Sequence, residues 1–513
     1  MERWLWGGTM VVWAMLCALS YAKGDLANND FERFHNSWLS GAFAALFIAM
    51  LVLYARLFEA GVAVSRRLAW LGFAALVVPA LLTFPVGSKD IFLYVIYGKL
   101  WQLYGANPHL VAPAQFAADA WYRFLADWPD APASLYGPLF SLQMRLIYIC
   151  SGGDVAVAVA LQKLFGAVLV AVAAWLVSRL RSPVHIPAAR GAPGGGAPPR
   201  NTPAIGASAR LVGNAERSPG DTQDFREATL GSRLRRGAAS GANGGAGDGW
   251  LALWLWSPLV LFDAIVTPHN DMAMTVLVLA ACLLWLRERP MPALALLTLA
   301  FWYKWYALML APVWLASGLR RWGLRGWIWG AVAAVAGASL LVLLPFVHEL
   351  GPMIARAMQG NGMREIFPEE LPPPLWVLFS IFELFNWHAS QTGMAIFTYL
   401  RTALLVGGLA WLVWHRRGAA FDREAFLRDC FWSLTLFFSL VPTRLWPWHL
   451  VVLCAFALAA SGRAYRLTVL GLNAVGMLSY FLTFLYAVLG CGLVTAAMAL
   501  LRRPRAQPLT PPG

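Results

Sequence analysis

Charge is scarce in this chain. Of its 513 residues only 13% are Asp, Glu, Lys or Arg, while 59% are hydrophobic; a soluble chain carries about twice that charged share. A fold of this length with so few charges cannot cover itself for water. That excludes an ordinary soluble enzyme, a disordered protein and a small secreted module. Cysteine is scarce too: Cys17, Cys150, Cys282, Cys430, Cys454 and Cys491, with no C-x-x-C among them. All lie in or beside apolar runs, as buried free thiols do, rather than at the spacings of metal ligands or a disulfide framework. The apolar runs also lack polar alternation, which disfavours a β-barrel. What is present is a series of continuous apolar stretches, so the expected fold is an all-α polytopic membrane protein.

Runs long enough to cross, or nearly cross, a bilayer lie at 4–22, 38–56, 68–86, 154–178, 250–266, 272–286, 326–347, 396–415, 429–442 and 448–461. Two longer stretches, 291–318 and 467–501, carry arginines on both flanks. A hairpin returns to the face it left, so matched flanks fit two helices each. The total expected is about 12–14 transmembrane helices. The first run ends in Ser20-Tyr21-Ala22, which also suits a signal-peptidase site, although a retained helix is the preferred reading.

The net charge of +14 would suggest nucleic acid in a soluble protein, but membrane topology accounts for it here and no nucleic-acid partner is expected. Most basic residues fall in one set of alternate loops: Arg56, Arg66 and Arg67, the arginines of 179–248, Arg287 and Arg289, Arg320, Arg321 and Arg325, Arg416, Arg417, Arg423 and Arg428, Arg463 and Arg466, and the tail. The positive-inside rule puts that set in the cytoplasm. Parity then requires the apolar segment 137–150 to lie on the outer interface, with Arg145 at headgroup level, although a short true crossing is the alternative. The stretch 181–248, with GAPGGGAPPR and GANGGAGDG, reads as a low-complexity linker that cannot form a packed core. The expected division is 1–180 (N-terminal membrane helices and an external loop), 181–248 (linker), 249–501 (C-terminal membrane helices) and 502–513 (tail).

Polar residues in membrane proteins are costly, so their positions are informative. Here they gather at helix ends on the expected outer side. In Ser88-Lys89-Asp90-Ile91-Phe92-Leu93-Tyr94-Val95-Ile96-Tyr97-Gly98-Lys99-Leu100-Trp101, helical spacing puts Asp90, Tyr94, Tyr97 and Trp101 on one face. This reads as an amphipathic interfacial helix presenting one carboxylate and three aromatics to a cavity. Aromatic faces suit sugar rings, and a carboxylate can take a hydroxyl proton. An anchoring helix with Asp90 as its cap fits the same spacing. Asn107 follows in the turn Gly105-Ala106-Asn107-Pro108-His109. The second cluster, Thr267-Pro268-His269-Asn270-Asp271, offers a ring nitrogen, an amide and a carboxylate at a helix N-terminus; helix capping alone needs only one of the three. One His and one Asp are too few ligands for a metal site, so no metal ligand is assigned and no cofactor is expected, with a divalent cation left open. Lys304 sits among aromatics at the tip of the 291–318 hairpin and Arg444 in Pro442-Thr443-Arg444-Leu445-Trp446-Pro447-Trp448-His449. Either cation suits a lipid phosphate; an aromatic-belt anchor is the simpler alternative.

SKDIFLYVIYGKLWQLYGANPHL, LYGPLF, TPHNDMAMTVLVLA, LAFWYKWYALMLAPVWL and RLWPWHLVVLCA occur in that order. Together they resemble the polyprenol-phosphate-mannose-dependent mannosyltransferases of the GT-C glycosyltransferase superfamily, over roughly 68–461. His109 stands where members often have Tyr, and the 181–248 insertion is a second departure. The resemblance implies Asp90 as catalytic base, juxtamembrane helices outside the membrane, and mannose as the sugar. The implied reaction moves a sugar from a polyprenyl-phosphate donor to a lipid or glycan acceptor at the outer face of the cell membrane. Polyprenyl phosphate leaves readily, so one base suffices and one displacement inverts the anomeric carbon. Tyr94, Tyr97, Asn107, His269, Asn270, Asp271, Lys304 and Arg444 are the expected substrate-binding residues. The competing reading is a transporter or lipid flippase without glycosyl transfer, whose in-span charges would be Lys163 and Asp263; no internal repeat supports it.

Overall fold

The structure, a computed structural model, describes residues 2–21, 38–59, 64–125, 128, 131–182, 249–359, 391–417, 420–441, 446–460 and 462–480. Among the described residues every regular element is helical. The apolar runs become α1 (Glu2–Ser20), α2 (Trp38–Glu59) and α3 (Arg66–Leu82). The next two helices, α4 (Asp90–Tyr104) and α5 (Pro138–Cys150), precede the long α6 (Val155–Arg181). The chain resumes with α7 (Gly249–Leu255), α8 (Pro258–Leu261) and a π-helical turn, Phe262–Val266, followed by α9 (Asp271–Leu286) and α10 (Pro290–Tyr303). A 3-10 turn (Trp305–Leu310) leads into α11 (Ala311–Leu343) and, after a second turn, α12 (Leu350–Gln359). The last described helices are α13 (Gln391–Trp414), α14 (Arg423–Leu440), α15 (His449–Ala459) and α16 (Arg463–Ser479). The second arm expected within 467–501 lies beyond the described residues. Trp38–Phe58, Val155–Arg181, Gly249–Val266 and Trp327–Arg356 are long and apolar enough to cross a membrane, and shorter apolar helices pack beside them.

Polar side chains start several helices by accepting otherwise orphaned backbone N–H groups. Ser65 accepts from the Leu68 amide at 3.2 Å, Asp154 from Val157 at 2.9 Å and Asp422 from Ala425 at 2.9 Å. The core is aromatic-rich: Trp13, Trp254, Trp285 and Trp314 are almost wholly buried. Buried indoles need an acceptor, and Trp254 donates to the Val170 carbonyl (3.0 Å) and Trp256 to that of Ala69 (3.0 Å).

The arginine-flanked 291–318 stretch does fold back on itself. Lys304 breaks the helix with extended backbone (φ −152°, ψ 120°). The first part of α11 then descends along α9 and α10: the Trp285 indole donates to Ser317 at 3.0 Å, and Arg321 meets Glu288 at 3.0 Å. Gly323, at φ 68°, turns the chain within α11; a side chain there would be strained. The remainder climbs back along α10, with Gly330 against Met291 and the Trp302 indole donating to Ser339 at 2.8 Å. The expected loop between 318 and 326 is therefore this one glycine turn. Arg181, Arg320, Arg321, Arg416 and Arg423 reach carbonyls or carboxylates at the same end of the bundle as Glu288.

At the opposite end, α5 begins beside the top of α10, where the Gly137 amide donates to the Tyr303 carbonyl (3.1 Å). It pairs with the first turns of α6 through Gln143 and Gln162 (3.1 Å), four residues separating the two helices. It therefore starts and finishes at the end of the bundle away from the arginines. Arg145 lies over the Trp101 ring at 4.8 Å. One expectation changes: α4 is not amphipathic, because Ile91–Leu100 are all buried. The loop that follows, pinned by Lys99 to Asp119 at 2.7 Å, and α5 cover the sides that spacing alone would leave open.

Candidate active site

Three chain turns supply the site, and α6 holds all three. Lys163 of α6 donates to the carbonyls of Leu81 (2.7 Å) and Thr83, where α3 ends and the segment leading to Asp90 begins. Gly166 packs directly on the Ala264 carbonyl within the π turn, leaving no room for a Cβ. That turn carries the chain to His269, whose amide donates to the Asp263 carbonyl at 2.9 Å. Gln143, bound to Gln162 of α6, accepts from the Tyr303 hydroxyl, one residue before Lys304. Lys163 is thus spent on backbone carbonyls. Asp263, the other in-span charge, accepts from Tyr480 at 2.5 Å.

Asp90 opens α4 and is partly exposed, with 15% of its side-chain surface accessible. Its Oδ2 lies 3.5 Å from His269 Nδ1 and accepts from the Tyr94 hydroxyl at 3.2 Å. Tyr94 also touches Tyr136 at 3.2 Å and His269 Nδ1 at 3.4 Å. Burial, then the Asp90 charge, pushes the Tyr94 and Tyr136 phenols well above their usual range, so both remain hydroxyl donors beside the carboxylate. Burial lowers the His269 titration, against the pull of Asp90, and keeps the ring neutral. His269 stacks on Trp448 at 3.7 Å, and Trp448 on Trp446 at 4.9 Å. This leaves His269 Nε2 buried without a hydrogen-bond partner among the described residues, as is Asn270 Nδ2 next to it. Buried polar atoms are normally satisfied, so these two are open positions for a ligand or water.

Lys304 donates to Asn270 Oδ1 (2.9 Å) and Asp271 Oδ2 (2.6 Å), and Tyr306 donates to the other oxygen of Asp271. The Lys304 ammonium also sits 5.8 Å from the Tyr136 ring centre, linking this ion pair to the Asp90 group. Lys304 was expected as a free cation for phosphate. It is instead paired with a carboxylate that is 1% exposed, which leaves one N–H uncommitted.

Asp90, Tyr94, His269, Asn270, Asp271 and Lys304 therefore come together. Tyr97 does not join them: its hydroxyl donates to the Pro132 carbonyl at 2.6 Å. Trp101 packs on Phe346. Both residues keep to the Asp90 face, but steps of seven and eleven residues carry them about 10 and 16 Å along the helix axis, to different neighbours. Asn107 builds its own turn, accepting from the His109 amide at 2.9 Å while donating to Glu349 at 2.5 Å. Arg444 lies outside the described residues. Tyr136, Tyr306, Trp448 and Lys163 were not among the expected site residues. The first three stand inside quoted motifs, LYGPLF, FWYKWY and LWPWHL, but aromatic richness alone does not separate a site ring from an anchor.

Residues 8–192 and 241–347, more than half of the chain, match the family model described as Alpha-(1->6)-mannopyranosyltransferase, N-terminal domain. The interruption falls inside the Gly/Pro/Arg-rich stretch, and Asp90, His269 and Lys304 lie in the matched parts. The chain is 25% identical over 481 residues to Alpha-(1->6)-mannopyranosyltransferase A of Mycobacterium tuberculosis (strain ATCC 25618 / H37Rv), an alignment covering 85% of this chain and 76% of that protein. A membrane-embedded helical bundle whose matched segments carry the carboxylate, imidazole and ammonium of one cluster thus belongs to the alpha-(1->6)-mannopyranosyltransferase family.

Proposed function

We propose that this glycosyltransferase moves mannose from a polyprenyl-phosphate donor to a hydroxyl of a lipid or glycan acceptor at the outer face of the cell membrane, with inversion. The observation that carries the reading is Asp90: a partly exposed carboxylate at the edge of a buried polar cluster, 3.5 Å from a neutral imidazole. A base must reach the incoming hydroxyl, and the accessible edge of Asp90 allows this where the buried Asp271 does not. In the proposed step the acceptor oxygen attacks the anomeric carbon and its proton passes to Asp90. The bond from that carbon to the phosphate oxygen breaks, and the phosphate leaves with the electron pair. The leaving group is stable as an anion, so no second carboxyl is needed as acid.

The other residues would orient the reactants. Tyr94 holds Asp90 by its hydrogen bond. His269 Nε2 and Asn270 Nδ2 offer an acceptor and a donor to sugar hydroxyls. The third N–H of Lys304, with Arg444, would stabilise charge on the departing phosphate. Membrane lipids would surround the isoprenoid chain. No cofactor enters the proposed step.

The test is direct. Purified protein is incubated with polyprenyl-phosphate mannose and an acceptor, and the release of polyprenyl phosphate and the anomeric configuration of the product are read. Release with inversion is expected. Retention in the product, or movement of the donor across a bilayer without cleavage, would overturn the proposal.

A further inference from the structure

The arginine-rich end of the bundle contains a second group of charged side chains that the transfer reaction does not use. Arg320 on α11, Arg416 just beyond α13 and Arg428 on α14 surround Asp429, whose carboxyl feels all three charges together with His415. Asp429 is buried, at 5% exposure. Arg416 Nε stands 3.5 Å from Asp429 Oδ2, an ion-pair distance without hydrogen-bond alignment. Arg320 donates through Nη1 to the Arg416 carbonyl at 2.7 Å, and Arg428 Nη2 lies 3.8 Å from Asp422. Tyr465 on α16 is 3% exposed and lies within the field of Arg428, Asp429 and Arg416.

The accounting of donors does not close. The Nε–H groups of Arg320, Arg416 and Arg428 are all buried, and none has an acceptor among the described residues; the Tyr465 O–H is in the same position. Arginines that merely snorkel toward water keep their donors solvated, whereas the Nε–H groups of these three are buried. Three guanidiniums against two carboxylates, Asp429 and Asp422, leave an excess of positive charge, and four buried donors have no acceptor among the described residues. A compact oxyanion with several acceptor oxygens satisfies both conditions, and guanidinium forks match phosphate oxygens in particular. The Arg416 and Arg428 side chains are 28% and 37% exposed, so the group can be reached from outside on their side.

We propose that Arg320, Arg416, Arg428 and Tyr465 form a phosphate-binding site at the end of the bundle opposite Asp90. The phosphate is that of an anionic lipid headgroup or a free phosphate ion. The site is independent of the transfer reaction and stands or falls without it.

The test uses full-length protein purified in detergent. Binding is followed by native mass spectrometry and by the shift in thermal unfolding as phosphatidylglycerol or inorganic phosphate is titrated, with phosphatidylcholine as the uncharged comparison. The wild-type protein is expected to bind and to be stabilised. Arg416→Gln with Arg428→Gln should weaken binding about tenfold or more, since each lost charge-assisted hydrogen bond is worth about that factor. Arg67→Gln, exposed at the start of α3, should leave binding unchanged. Tyr465→Phe removes only a hydroxyl, so it tests the site even if the arginine variants fold poorly. It should weaken binding about tenfold without lowering the unfolding temperature of the unliganded protein. Binding of phosphatidylglycerol alone identifies a lipid headgroup; equal stabilisation by inorganic phosphate identifies the free ion. Binding of neither, or binding that Tyr465→Phe leaves untouched, overturns the proposal.

Discussion

Asp90 and His269 face each other across 3.5 Å at the entrances of two different helices, α4 and α9. Tyr94, one turn beyond Asp90, donates to the same carboxylate oxygen and approaches the same ring nitrogen. The pair is held from behind: Trp448 stacks on the imidazole and α6 fixes both entrances. The carboxylate is therefore oriented before any substrate arrives, as the proposed role of base requires.

Asp90→Asn keeps the shape and removes the proton acceptor. Turnover is expected to fall by about 10²–10⁴-fold, while donor binding, measured separately, stays within a few-fold of wild type. Near-normal turnover in this variant would show that another group takes the proton.

Lys304→Met leaves Asp271 charged, buried and unpaired. Breaking such a pair costs about 3–5 kcal/mol, to be read from chemical or thermal unfolding. Adding Asp271→Asn should restore most of the lost stability. If Lys304 also stabilises the departing phosphate, the double variant will fold well yet turn over slowly. Recovery of both together would reduce Lys304 to a structural role.

Lys163→Met withdraws the ammonium from the carbonyls of Leu81 and Thr83. The segment before Asp90 should loosen, at a cost of about 2 kcal/mol, and kcat should fall more than KM changes. Lys163→Arg, which retains donors, should recover part of kcat. A stability loss with kcat intact would show that Lys163 does not position the base.

Glycine contacts give a paired comparison. Gly166→Ala forces a methyl onto the Ala264 carbonyl, whereas Gly41 on α2 has open space around it. Gly166→Ala is expected to cost about 1–3 kcal/mol by overpacking and to displace the turn that carries His269, lowering activity further. Gly41→Ala should be neutral or stabilising by up to about 1 kcal/mol. Equal unfolding temperatures for the two would contradict this packing.

His109 gives a pH signature. Burial pulls its titration from 6.5 down to about 4; the Ser134 backbone hydrogen bond opposes this and Arg356 reinforces it. Its Nε2 lies 3.0 Å from Ser141 Oγ. Between those two values the unfolded chain binds the proton and the folded chain does not. The stability contribution is thus complete above pH 6.5 and is lost as pH falls toward 4, by about 3 kcal/mol in total. Thermal unfolding across this range should show a shallower acid decline in His109→Gln.

Much of the architecture is legible one residue at a time. Lipid and a packed interior both demand continuous apolar runs, so most of the helices announce themselves by composition; α12 lies in none of the expected runs, and α4 is buried where its spacing suggested an amphipathic helix. The arginine flanks of 291–318 force a return, and Lys304 breaks the helix near the middle of that stretch. Asp90, His269 and Lys304 stand out because ionisable groups at the ends of apolar helices are few. Partnership is a different matter. Tyr94 reaches Asp90 while Tyr97 turns to Pro132, and Asn107 serves its own turn and Glu349. Lys304 is already paired with Asp271, and Tyr136, Tyr306 and Trp448 complete the cluster from segments that local spacing cannot relate to it. Hydropathy is set by each residue's own side chain and can be read along a line. Which side chains meet depends on helix rotation and on close approaches such as Gly166 to Ala264, and these exist only once the whole bundle has packed.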